Sequence, residues 1–246
     1  MSTTQVDRFS TTIPQHVCII MDGNRRWARK NKLQVFKGHE KVAFEMMDRL
    51  IDRSIKRGVK YLTLWAFSTE NWKRSQKEVG ALLSIFRQMF ERDIQELHQK
   101  GVRFNTIGDM SRFPEDIQQN MSKMKQESQQ NKTITVTFAL NYGGHDELLR
   151  AIRQMTAELE KEAHSSDISL EKITKEKLEQ YLDTTDLPDP DFIIRTGGEQ
   201  RLSGFMSWQS AYAELYFPQV LMPDFDEVEF DKALIEFDSR QRRFGA

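Results

Sequence analysis

The apolar positions of the chain fall into two patterns. Five short, nearly unbroken runs are rich in β-branched and aromatic residues: "HVCIIMD" from His16, "VKYLTLWAFS" from Val59, "VRFNTIGD" from Val102, "TITVTFALNYGG" from Thr133 and "PDFIIRTGG" from Pro190. Each ends in glycine or a polar cluster, which is the signature of a strand buried on both faces. Between them the apolar residues recur at helical spacing. One helix is expected over residues 36 to 58, stopping at Gly58. A second is expected from Val79 through Leu82, Leu83, Phe86, Phe90, Ile94 and Leu97 to about Gly101. Further helices are expected over residues 114 to 130, 145 to 163 and 226 to 241. A short one, ending near Leu182, should follow the polar connection "HSSDISLEK". "SAYAELYF" reads either as a sixth strand or as a turn of helix. Alternating strands and helices predict an α/β fold, with a mostly parallel central sheet of about six strands flanked by helices. The organisation expected is a flexible segment over residues 1–14 and a single domain over 15–246.

Charge narrows the function classes. Lys plus Arg number 36 and Asp plus Glu 37 in 246 residues. Binding of nucleic acid through a globally basic surface is therefore not indicated, and anion recognition must come from local clusters. The lone Cys18 lies in an apolar run and reads as a buried small hydrophobe. With no partner for a disulfide, no apolar leader at the N-terminus and no run long enough to span a membrane, a cytoplasmic protein is expected. Peripheral contact with a membrane surface stays compatible with that.

Ligands of open parallel sheets sit at the carboxyl ends of the strands. Here those ends carry Asp22-Gly23-Asn24-Arg25-Arg26-Trp27, Ser68-Thr69-Glu70-Asn71-Trp72-Lys73-Arg74, Asn141-Tyr142-Gly143-Gly144, and Arg195-Thr196-Gly197-Gly198-Glu199-Gln200-Arg201-Leu202-Ser203. Any one of these loops alone is ordinary turn chemistry. Three of them carry arginine, whose planar fork matches phosphate oxygens, and their convergence points to a phosphate or diphosphate ligand. Walker and dinucleotide glycine motifs are absent, "HEKVA" at His39 lacks the second histidine of a zinc-protease helix, and no Cys/His cluster has metal spacing. A hard cation such as Mg²⁺, held by one or two carboxylates and the ligand's phosphates, fits, with Asp22 and Glu214 as the carboxylates. His39, after Gly38, reads equally as a helix-start histidine or as a donor to a phosphate.

Taken together, "HVCIIMDGNRRWA", "LTLWAFSTENWKRS", "FALNYGG", "IIRTGGEQRLSGF" and "WQSAYAELYF" resemble the cis-prenyltransferases over about Gln15 to Gly245. The resemblance implies repeated addition of isopentenyl diphosphate to an allylic diphosphate, usually farnesyl diphosphate. The product is a Z-polyprenyl diphosphate of the kind that serves cell-wall synthesis, or a shorter one. It implies Mg²⁺, a homodimer, and an apolar tunnel for which Ala66, Leu83, Phe86 and Met89 are available. Carried over by similarity, Asp22 assists diphosphate departure, and Gly23, Asn24, Arg25 and Arg26 line the allylic diphosphate cradle. Trp27 and His39 match substrate-contacting positions. Ser68, Thr69, Glu70, Asn71, Trp72 and Arg74 fall in the second motif, and Asn71 matches the residue often assigned to proton removal. An amide is a poor base, so a positioning role suits Asn71 better. Arg195, Arg201, Leu202 and Ser203 match the isopentenyl diphosphate site, Glu214 the second metal-associated carboxylate, and Arg243 and Gly245 a tail that reaches a neighbour's site.

Two positions depart from the pattern. Many bacterial members have glycine where Arg25 stands, and the family usually has arginine where this chain has Val35, four residues before His39. Arg25 or Lys37 is expected to compensate. Some relatives are noncatalytic subunits that have lost the first-motif aspartate; Asp22, Asn71, Arg195 and Arg201 are all present here.

Overall fold

The computed structural model describes residues 12–91, 94–162 and 170–240, so the first eleven residues and the Arg243–Gly245 tail lie outside it. Six strands form one sheet: β1 (His16–Ile20), β2 (Tyr61–Ser68), β3 (Val102–Ile107), β4 (Ile134–Tyr142), β5 (Phe192–Arg195) and β6 (Glu214–Tyr216). Their order is β3-β4-β2-β1-β5-β6, and every pairing is parallel. The helices are α1 (Asn24–Lys30), α2 (Phe36–Lys41), α3 (Met47–Arg57), α4 (Gln76–Phe90), α5 (Ile94–Lys100), α6 (Glu115–Glu127), α7 (Gly144–Glu162), α8 (Lys175–Glu179) and α9 (Glu227–Ser239).

The unbroken apolar runs are explained by burial on both faces of the sheet. Val17 and Ile19 of β1 point into a large core with Leu62, Leu64, Leu82, Phe86 and Phe237, whereas Cys18 and Ile20 join a smaller one around Tyr142, Ile193, Phe205 and Met206. Cys18 is fully buried, and burial pushes its thiol well above the usual range, as befits a packing residue.

Three elements differ from their expected form. The helix over residues 36 to 58 is continuous but contains a π-helical stretch, Val42–Met46, between α2 and α3. Val42, Ala43, Met46, Met47, Leu50 and Ile51 keep ordinary helical spacing through it, so the sequence carries no sign of the π turn. The helix expected from Val79 to Gly101 is two: α4 packs against α2 and α6, and α5 turns to cover β3. "SAYAELYF" is both alternatives in succession, a 3₁₀ turn (Gln209–Tyr212) followed by β6.

One ion cluster ties α3 to α9. Asp231, 7% exposed, accepts from Arg53 Nε at 2.9 Å and Arg57 Nε at 2.8 Å, and Arg49 pairs with Glu227 one turn earlier. Burial pushes the Asp231 carboxyl up, but the hydrogen bonds from Arg57 and Arg53 outweigh it and hold the group at about 2, below its ordinary 3.8. A carboxyl depressed by folding stabilises the fold above its unfolded value and ceases to do so as pH falls through its folded one. Asp231→Asn should therefore cost about 1–3 kcal/mol, because two half-buried guanidiniums lose the buried carboxylate that they share, and lower Tm by roughly 3–8 °C at neutral pH. In the wild type, thermal melts should show this contribution fading between pH 3.8 and about 2. A variant with an unchanged melt at pH 7 would contradict the assignment.

Candidate active site

The carboxyl ends of β1, β2 and β5 open into one cleft of about 430 Å³. Asp22 follows β1, whose last residue Ile20 is in register with Arg195 at the end of β5. That register places the two side chains together. Arg195 NH2 donates to Asp22 Oδ2 at 2.9 Å, and its NH1 donates to the Arg201 carbonyl at 2.5 Å and to Ser203 Oγ at 2.8 Å. Asp22 Oδ1 accepts from the Gly23 N–H at 2.6 Å and lies 3.6 Å from Arg26 NH2.

Gly23 has φ +102° and caps α1 in a left-handed conformation that a side chain disfavours, so the chain reverses immediately after Asp22. The reversal aims the start of α1 at the cleft. Arg25, Arg26 and Arg29 of that helix, with Arg74 and His39, line an adjoining space of about 320 Å³. Gly38 brings α2 against α1: a Cβ there would stand 2.2 Å from the Asn24 carbonyl oxygen. The close approach delivers His39 into the cleft. Its imidazole is lowered from 6.5 to about 4 by burial, with Arg74 and Arg25 adding to the shift, so the ring is neutral at pH 7.

Five buried side-chain atoms among the described residues have no partner within the protein, and three of them belong to this cleft: Asn24 Oδ1, His39 Nε2 and Arg195 Nε. Buried polar groups are normally satisfied, so this concentration marks a site built for a polar ligand. Asn24 Nδ2 donates to the Met21 carbonyl at 2.8 Å, which leaves the amide oxygen unpartnered in a residue that lines the cleft with Asp22. A carboxylate with an amide oxygen is donor chemistry suited to a hard cation. Among the described residues no three His, Cys, Asp or Glu side chains cluster as a metal site by themselves.

The cleft is polar at its mouth and apolar within. Val42 and Ala43, on the π-helical stretch, line its inner wall with Met47, Leu82, Ile85, Phe86 and Met89. Ala66 lines it too, at a register shift between Trp65 and Phe67 where β2 bulges away from β4. Of the expected tunnel residues, Leu83 packs on the core beside the cleft instead. A separate cavity of about 60 Å³ lies among Phe90, Phe104 and Phe138 and shares Ala43, Met47 and Met89 with the wall of the cleft.

Asp22, Asn24, His39, Ser68, Glu70, Asn71, Arg74, Arg195 and Ser203 all line the main cleft, and Gly23, Arg25 and Arg26 its arginine-rich extension. Asn71 Oδ1 accepts from the Ser68 N–H at 3.1 Å, in a reciprocal cap of the 3₁₀ turn after β2. Trp27, Thr69, Trp72, Arg201 and Leu202 do not line the cleft. Trp72 donates to Asn141 Oδ1 at 2.8 Å and packs edge-on against Phe67 and Phe113. Trp27 donates to Asp224 Oδ1 at 2.7 Å under Lys41. Thr69 bonds Glu70, Leu202 packs on the smaller core, and Arg201 is exposed and paired with Glu199. Glu214 is not brought to Asp22: it opens β6 opposite Phe192, at the amino end of the sheet, and pairs with Arg240 at 2.9 Å. Arg29 was not expected. Its spacing of four from Arg25 and three from Arg26 is the signal that could have placed it on their face.

The Prenyltransf family model, undecaprenyl diphosphate synthase, matches residues 20–245. The chain belongs to this family of prenyltransferases. An isoprenyl transferase of Clostridium perfringens is 42% identical over 95% of this chain and 90% of its own length. A ditrans,polycis-undecaprenyl-diphosphate synthase of Haemophilus influenzae, described as specific for (2E,6E)-farnesyl diphosphate, is 42% identical over 96% of each chain. In structure, lavandulyl diphosphate synthase from Lavandula x intermedia, solved with dimethylallyl diphosphate, superposes with a TM-score of 0.89 at 37% identity, covering 95% of this chain and 99% of that one. The α/β fold expected from the alternating apolar runs and helical patterns is the fold of this family.

Gly38→Ala tests how the cleft is assembled. The added methyl cannot fit against a backbone carbonyl, so α1 and α2 must separate, at a cost of about 1–3 kcal/mol. Binding of inorganic diphosphate, followed by calorimetry, should weaken by at least about tenfold. Unchanged binding would show that the α1–α2 contact does not set the site.

Proposed function

We propose that the chain condenses isopentenyl diphosphate with an allylic diphosphate, farnesyl diphosphate being the preferred starter, to give a Z-polyprenyl diphosphate such as undecaprenyl diphosphate. One observation carries the reading: a single cleft with unpartnered polar atoms and arginines at its mouth and an apolar interior, the shape and polarity of a prenyl diphosphate. In the reaction the allylic C–O bond breaks with its electron pair leaving on diphosphate. The alkene of isopentenyl diphosphate forms the new C–C bond, and a proton is lost from the adjacent carbon. The difficult step concentrates negative charge on the leaving group, so preorganised cations at the mouth do most of the work. Arg25, Arg26, Arg29 and Arg74 bind and orient the allylic diphosphate, with His39 and the Gly23–Asn24 turn. Arg195 and Ser203 hold isopentenyl diphosphate, with Arg201 folding over from the rim. Asn71 orients the reacting partners rather than accepting the proton, since its oxygen already caps the Ser68 turn.

Mg²⁺, when bound, would neutralise part of the diphosphate charge, and Asp22 with Asn24 Oδ1 would hold it. Glu214, at the amino end of the sheet and paired with Arg240, does not line this pocket. The functional unit is a homodimer, for which the exposed Leu149 and Ile152 of α7 offer an apolar contact. Release of a long product takes place at a membrane surface, and no described helix is long and apolar enough to cross a membrane. A second reading, a short- or medium-chain product, is favoured by the small volume, about 60 Å³, of the cavity among Phe90, Phe104 and Phe138 behind the cleft's wall.

The test is incubation of purified protein with Mg²⁺, labelled isopentenyl diphosphate and farnesyl diphosphate, followed by chromatography of the dephosphorylated product. Incorporation is expected, and its length separates the two readings. No incorporation with any allylic starter would refute both. Asp22→Ala should cut turnover by about two to four orders of magnitude, with a melt within a few degrees of wild type. Activity equal to wild type would remove Asp22 from the chemistry.

A further inference from the structure

Arg25 and Val35 are the two places where the chain departs from the usual pattern, and the structure links the first to a residue outside the cleft. Val35 precedes α2 without lining the cleft, and Lys37 turns to Glu40 at 2.6 Å. Arg25 and Arg74 both line the cradle, and both reach one oxygen: Glu78 Oε1, 2.9 Å from Arg74 NH1 and 3.6 Å from Arg25 Nε. Glu78 is the third residue of α4, whose N-cap Ser75 accepts from the Glu78 N–H at 3.3 Å. In a capping box a glutamate at this position turns back to the N-cap's own N–H. Here its carboxylate goes to the two arginines instead.

The geometry separates two electrostatic roles. A carboxylate standing where the anion binds would compete with it. Glu78 does not line either part of the cleft, and its side chain is only 16% exposed. It therefore draws the guanidiniums from behind and leaves their outer edges to the ligand. Two adjacent guanidiniums repel, and burial together with the Arg25 charge already disfavours the charged form of Arg74. A shared carboxylate offsets that repulsion and fixes two rotamer-rich side chains before the ligand arrives.

We propose that Glu78 is a positioning residue that holds Arg25 and Arg74 as a preformed pair for the allylic diphosphate, Arg25 standing in for the arginine that Val35 lacks. The inference rests on the reading of the cradle as a diphosphate site. Calorimetry with inorganic diphosphate and Mg²⁺ on the wild type, Glu78→Gln, Arg25→Gly and the double variant tests it. Wild-type protein binds; Glu78→Gln and Arg25→Gly each weaken binding about fivefold to tenfold, and the double variant loses clearly less than the product of the two. In turnover, KM for the allylic substrate rises in Glu78→Gln by a similar factor while that for isopentenyl diphosphate holds. Ser75→Ala, which removes only the cap, lowers Tm without moving diphosphate affinity. Tighter or unchanged binding in Glu78→Gln, or fully additive losses, would overturn the inference. Failure of the wild type to bind diphosphate at all would overturn the site reading beneath it.

Discussion

Arg195 and Asp22 close the carboxyl ends of two neighbouring strands, and the rest of the site is arranged around that pair. Arg195 is 6% exposed, and a buried guanidinium is tolerated only with its charge matched and its N–H groups used. Asp22 matches the charge, while the Arg201 carbonyl and Ser203 take the second nitrogen. Nε is left over. The pairing needs β1 and β5 adjacent, parallel and in the observed register, because a slip of one residue would turn one partner to the opposite face. A loop conserving the same residues on a differently ordered sheet would not make this site.

From that pair the polarity of the cleft runs in two directions. Outward, α1 begins directly after Asp22 and presents arginines at successive turns of one face. Inward, the π-helical stretch and the bulge at Ala66 interrupt two regular elements at the same place. Each interruption removes packing that an ideal helix or strand would supply, and the apolar interior of the cleft lies between them. The ion cluster of Asp231 with Arg53 and Arg57 anchors the far end of the helix whose first residue, Met47, forms part of that wall. None of that cluster's members lines the cleft, whereas three of the unsatisfied buried atoms belong to residues that do.

Much of this was legible in the chain. The five unbroken runs mark the five strands β1 to β5, with "SAYAELYF" left between strand and turn, and the polar residues after them mark Asp22, Asn24, Arg74 and Arg195. What was not legible depends on third dimensions that a linear pattern does not encode. Trp27 and Trp72 sit within binding motifs, yet their indole N–H groups are used by Asp224 and Asn141, residues 197 and 69 positions away. Glu214 lies in a motif with no signal of which sheet end it occupies. Leu82 and Leu83 have the same chemistry, and only the rotation of α4 decides that Leu82 faces the cleft. The π-helical turn has no local sequence mark. Arg29 had one, its spacing on α1, and belongs with the legible residues.

Under the proposed function, the unpartnered atoms of the cleft are the contacts of a diphosphate and its cation. A crystal structure of the protein with Mg²⁺, isopentenyl diphosphate and a non-ionising allylic thiodiphosphate tests this most directly. The predicted result has the allylic diphosphate against Arg25, Arg26 and His39, isopentenyl diphosphate against Arg195 and Ser203, the cation at Asp22, and all three buried atoms partnered. Diphosphates bound elsewhere, with Asn24 Oδ1, His39 Nε2 and Arg195 Nε still unpartnered, would contradict it.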